Sequence, residues 1–185
     1  MDYFKDLSKV LDAIEATDRH GNLLPVDQAV GLVVESMLAL KQGGKRAYFI
    51  GNGGSASIAS HLQADFLRTL KIPAVTFYDH SLLTCMSNDY GYEYVFARPL
   101  EVLAGKGDCL LAISSSGRSN NILNAVKAAG VIGCHIITLS GFEKDNALRG
   151  AGDVNFYADC SSYGLVELAH AAICHYIVDA IVKKG

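Results

Sequence analysis

Two segments carry residue types suited to holding an anion. Gly51-Asn52-Gly53-Gly54-Ser55 joins glycines to an amide and a hydroxyl, and Ser114-Ser115-Ser116-Gly117-Arg118-Ser119 gathers hydroxyls around one glycine. Glycines let a backbone approach an anion closely, and a helix opening behind such a loop offers free N–H groups and the positive end of its dipole. Hydroxyls and N–H groups can wrap a phosphate without any lysine. A turn alone needs one or two such residues, so the serine cluster reads as an anion cradle.

A dinucleotide is the rival ligand. Gly51-x-Gly53-x-x-Ala56 matches the fingerprint G-x-G-x-x-A, and Asp79 stands where a ribose-binding acid would. The second loop argues against it, because a dinucleotide site does not call for a serine cluster after the third strand. No nucleotide cofactor is therefore expected. The absence of Gly-Lys-Ser/Thr excludes a Walker loop.

The elements that must position these loops follow from periodicity. Leu7, Val10, Leu11 and Ile14 mark one face of a helix. Pro25 can start a second helix, running to about Gln42 and stopping at Gly43-Gly44. Strand-like runs then alternate with helical ones. The strands are expected at 46–50, 74–78, 108–113, 135–139 and 154–158, and a long apolar helix at about 165–182. Ser81 is a candidate helix cap, Pro99 a helix breaker, and Lys144–Arg149 a short helix. Such alternation implies an α/β fold with a mostly parallel sheet covered on both faces. Both loops then fall at the carboxyl ends of strands, where ligands bind in these sheets. The whole chain, 1–185, reads as a single domain, with residues 1–44 a helical pair packing on the core or on another subunit.

Composition narrows the partners. Half of the 185 residues are apolar, enough for a sizeable core, and Lys+Arg total 16 against 19 Asp+Glu. That balance gives no general attraction to nucleic acid or an anionic membrane. The most apolar window, 30–40, is interrupted by Glu35 and too short to span a bilayer. The N-terminus lacks a signal-peptide pattern. The expectation is a cytoplasmic protein, free of membrane and nucleic acid. Five widely spaced cysteines without a CxxC pair indicate neither a disulfide framework nor a cysteine-rich zinc site.

Together the two loops resemble those of the SIS (sugar isomerase) family. Ser87-Asn88-Asp89-Tyr90-Gly91-Tyr92 and a last helix carrying Glu167, His170 and His175 sharpen the resemblance to its phosphoheptose isomerase branch. The resemblance implies a flavodoxin-like SIS fold, with a five-stranded parallel sheet flanked by helices and two leading N-terminal helices. It implies a homotetramer with sites at subunit interfaces. The implied reaction is isomerisation of sedoheptulose 7-phosphate to a D-glycero-D-manno-heptose 7-phosphate, feeding surface-polysaccharide synthesis. By the family pattern Asn52, Gly53, Gly54, Asn88 and Asp89 line the sugar, and Ser114, Ser115, Ser116 and Ser119 hold the phosphate with Ser55 nearby. His61, Asp65, Glu167 and His175 match the family's metal and catalytic positions, with Asp65 and His175 as the acid/base pair, Glu167 also against substrate, and zinc as the implied cofactor.

Two of those four positions depart from the family. Asp65 stands in place of Glu and Glu167 in place of Gln. A base displaced by roughly 1 Å can lose about 100-fold in rate, and Glu167 adds a negative charge. His61 and Asp65 are i, i+4, a spacing that suits a metal and equally a surface hydrogen bond. Glu167 and His175 lie roughly 12 Å apart along a helix and about 80° around it, so one ion is not easily shared between them. A non-catalytic phosphosugar-binding protein, or one associating with a replication initiator as one branch member does, is the alternative reading.

Overall fold

The computed structural model describes residues 2–184. Asp2 opens the first helix, α1 (Tyr3–Asp12), by accepting a hydrogen bond from the Lys5 N–H. Val10 is buried on its inner face, with Leu11 and Ile14 packed alongside. A short hairpin follows, β1 (Glu15–Asp18) and β2 (Leu23–Leu24), and then α2 (Val26–Gln42). Beyond them come β3 (Ala47–Ile50), α3 (Gly54–Asp65) with a π-helical turn at Phe66–Leu70, and β4 (Ala74–Val75). The remainder is α4 (His80–Tyr90), a 3₁₀ turn (Tyr92–Tyr94), α5 (Ala97–Leu103), β5 (Cys109–Ser114), α6 (Asn120–Ile132), β6 (His135–Gly141), β7 (Val154–Ala158) and α7 (Tyr163–Lys184).

The sheet runs β2-β1-β7-β6-β5-β3-β4. Its five parallel strands, β3 to β7, are those expected from the sequence, though β4 is shorter than its apolar run. The expectation of a purely parallel five-stranded sheet is corrected: β1 and β2 add an antiparallel hairpin at the β7 edge, making a mixed seven-stranded sheet. Glu15-Ala16-Thr17-Asp18 shows no apolar alternation, and its strand conformation comes from pairing with β7. The hairpin turn is tied locally, with the Asp18 carboxylate accepting from the N–H groups of His20 and Asn22.

Three local expectations also change. Asp79, not Ser81, caps α4, accepting from the Leu82 N–H at 3.0 Å. Residues 144–149 form turns, not a helix. Pro99 lies within the first turn of α5, where its missing N–H costs no helical bond, and the break before it falls at Gly91.

The strands are buried on both faces, so their side chains alternate between two cores. Phe49, Leu111 and Ile113 meet α2, α3 and α7 on one side. Tyr48, Leu110 and Ala112 meet α5 and α6 on the other. The last helix, α7, is by length and composition apolar enough to cross a bilayer. Here it packs against α1, α2 and α3 and buries Val166, Ala169, His170, Ile173, Cys174, Ile177, Val178 and Ile181. Because β3 is flanked by β4 on one side and β5 on the other, the chain reverses direction between β3 and β5. The two Ser/Gly loops follow these strands and flank that switch point.

Candidate functional site

The loop after β3 turns into α3 through Gly53, whose φ of 54° and ψ of −122° favour glycine. The Asn52 side chain is fixed by a reciprocal amide pair with Asn121, at 3.0 and 2.8 Å, and by the Tyr92 hydroxyl, which donates to its Oδ1 at 3.0 Å. Asn121 escapes sequence reading because its partner lies 69 positions away, and Tyr92, within the Ser87–Tyr92 motif, carries no assigned role there.

The loop after β5 is shaped by its own hydroxyls. Ser114 Oγ accepts from the Gly117 N–H and Ser116 Oγ from the Arg118 N–H. Gly117 has φ +62°, and a Cβ there would overlap the side chain of Asn146. Asn146 is buried and anchored: its Nδ2 donates to the Gly141 and Glu143 carbonyls, and its Oδ1 accepts from the Arg149 N–H. Ser119 stands at the start of α6 with its hydroxyl not used as a cap.

These loops enclose a pocket of about 140 Å³ lined by Asn52, Ser55, the serines at 114–116 and 119, and Tyr163 and Glu167 from α7. Ser115 Oγ is buried without any hydrogen-bond partner among the described residues. A buried hydroxyl left unpaired costs about 1–3 kcal/mol, which an anion in the pocket would recover. The Glu167 carboxylate rests against Gly54 in the first turn of α3, so closely that a Cβ on that glycine would overlap it.

A second hollow of about 230 Å³ lies further along the α3–α7 contact, lined by Ser57, Ile58, His61, Leu62, Asp65, Ala171, Cys174 and His175. His61 Nε2 approaches Asp65 Oδ2 at 3.3 Å, and the His61 and His175 rings are 5.2 Å apart. One donor atom from each of His61, Asp65 and His175 lies within 4.8 Å of the other two. Arg68 reaches toward Asp65 at 3.6 Å. Two imidazoles and a carboxylate suit zinc with a coordination position to spare.

The structure thus brings together three of the four residues matched to the metal, and Glu167 faces the serine pocket instead. Asn88 and Asp89 line neither hollow: they lie exposed on α4, where the Asn88 amide donates to the Asp89 carboxylate at 2.8 Å. His170 is fully buried, with Nε2 against the Ser140 carbonyl at 3.0 Å; burial lowers its pKa to about 4.

Comparison with known proteins identifies the family and the fold. The SIS domain family model matches residues 2–141. The phosphoheptose isomerase of Geotalea uraniireducens is 34% identical over 182 residues, covering 95% of this chain and 92% of that protein. That of Vibrio cholerae is 35% identical over 188 residues, covering 97% and 95%. Among solved structures, the phosphoheptose isomerase of Neisseria gonorrhoeae superposes with a TM-score of 0.82 at 29% identity, covering 97% of this chain and 95% of that one. The Francisella tularensis enzyme gives 0.84 at 25% identity, covering 99% and 95%. The chain belongs to the SIS domain family and, within it, to the phosphoheptose isomerases.

Proposed function

We propose that this protein interconverts sedoheptulose 7-phosphate and a D-glycero-D-manno-heptose 7-phosphate, for heptose biosynthesis. The observation that carries this reading is the spacing of the two hollows along α3 and α7. The residues from Glu167, in the serine pocket, to His175, in the His/Asp cluster, span roughly 12 Å of helix. An extended seven-carbon phosphate, built of single bonds of about 1.5 Å, covers roughly 10 Å from phosphorus to its terminal carbon. With the phosphate among Ser55, Ser115 and Ser119, C1 and C2 then lie at the cluster. Asn52, Gly53 and Gly54 form the wall between; Asn88 and Asp89, exposed on α4, are assigned to a sugar bound at a neighbouring subunit.

An aldose–ketose isomerisation needs a base at carbon and an acid/base at the oxygens. Asp65 takes the C1 proton as the C1=C2 bond forms. His175 gives a proton to O2 and produces an enediol. The return steps remove the O1 proton and place a proton on C2, leaving the aldehyde at C1. His61, Asp65 and His175 are the residues that would hold zinc, which when bound would polarise the carbonyl.

In a coupled assay with sedoheptulose 7-phosphate and added zinc, the purified protein turns over, and Asp65→Asn lowers kcat by about 100-fold or more with KM little changed. No turnover, here or with other ketose phosphates, would sink the proposal. Elemental analysis should find about one zinc per chain, lost in His61→Ala; zinc retained in that variant counts against the assignment. We also propose a homotetramer with sites at subunit interfaces, for which light scattering should give about four times 19.8 kDa. A cytoplasmic location suits five free thiols.

A further inference from the structure

The serine pocket presents a charge conflict. Its lining has no lysine or arginine, and its one carboxylate is Glu167. That carboxylate makes no hydrogen bond among the described residues and rests against Gly54 in the first turn of α3; Ser115, whose buried hydroxyl has no partner among the described residues, lines the same pocket. Nearby charges do not offset it. Arg118, at the tip of the same loop, turns outward to Asp145 at 2.7 Å. His170, the next turn of α7, is buried and neutral. Tyr163 is the other ionisable group in the lining, and His61 and Asp65 lie further along α3 in the other hollow.

An anion entering this pocket meets several hydroxyls, which can donate to it, and one carboxylate, which can only accept when ionised. A phosphate ester titrates its second proton near pH 6 and carries between one and two charges around neutrality. Its singly charged form has a P–O–H group that can donate to a carboxylate. A fully ionised oxyanion of the same shape has no such proton and meets Glu167 as bare charge against charge. We propose that Glu167 is a specificity-determining residue that accepts a hydrogen bond from the phosphate hydroxyl, so that the pocket selects the singly protonated phosphate and rejects fully ionised tetrahedral anions such as sulfate. This rests on the pocket being the phosphate site.

Inorganic phosphate and inorganic sulfate separate the two ideas, because neither is turned over. Calorimetric titration of the intact protein at about pH 6 and pH 8 should show phosphate binding on the order of tenfold weaker at the higher pH, with sulfate at least tenfold weaker than phosphate throughout. Glu167→Gln and, independently, Glu167→Ala should flatten the pH dependence and admit sulfate as well as phosphate. Wild-type protein that binds both anions equally, or variants that keep the discrimination, would overturn the role of Glu167 while leaving the pocket assignment intact. If no form of the protein binds phosphate, and Ser115→Ala changes nothing, the pocket assignment falls and the inference falls with it.

Discussion

Ser115 is the residue whose environment speaks most directly of a ligand. Its hydroxyl is buried and unpaired, and a hydrogen bond to an ionised group is worth about 1.5–3 kcal/mol. Ser115→Ala should therefore weaken phosphosugar binding by about 10- to 100-fold in a titration, with the melting temperature unchanged or raised. A melting temperature that drops with affinity intact would make the serine structural. The serine cluster was legible in the sequence because its pattern is local: hydroxyls that shape a loop and serines that line a pocket sit within six positions. The His/Asp cluster was less so. His61 and Asp65 are a single helical turn apart, but only folding brings His175 beside them. Sequence spacing alone warned that Glu167 and His175 could not easily share one ion, and the structure divides them between two hollows. Asn121 carried no signal at all, since its importance lies in holding Asn52 across 69 positions.

At the scale of elements, the serine loop after β5 owes its shape to the segment after β6. Asn146 fills the space above Gly117, and the Gly117 carbonyl accepts from the Leu148 N–H at 3.1 Å. Gly117→Ala meets both a positive φ and the Asn146 side chain. It should destabilise the protein by about 1–3 kcal/mol and raise KM more than it lowers kcat; denaturant melts and steady-state kinetics would read both. An unchanged KM would mean that the loop adapts. This support was invisible in the sequence, where Lys144–Arg149 reads as a helix. Its turns are set by Asn146 binding back to Gly141, not by periodicity. The parallel strands were legible because burial on both faces makes them apolar throughout. The antiparallel hairpin was not, since β1 is short and polar and takes its conformation from β7.

At the scale of the whole molecule, His170 ties α7 to the end of β6 in the interior. Its folded pKa of about 4 lies below the ordinary 6.5. The folded state therefore binds fewer protons than the unfolded one between those values, and stability is lost as pH falls through that range. The full loss is about 3 kcal/mol. The melting temperature should decline between pH 6.5 and 4, and His170→Gln, which keeps a donor near Ser140, should flatten that decline. An equal slope in both proteins would assign the acid sensitivity elsewhere. A last consequence belongs to the hairpin. The sheet ends at β2 on one side and β4 on the other, each only two residues long. Without the hairpin the β7 edge would lose its partner along Val154–Tyr157, the four residues now paired with β1, and become an open template for a strand from another chain. With it, both rims of the sheet end in strands of only two residues, short templates for pairing with another chain.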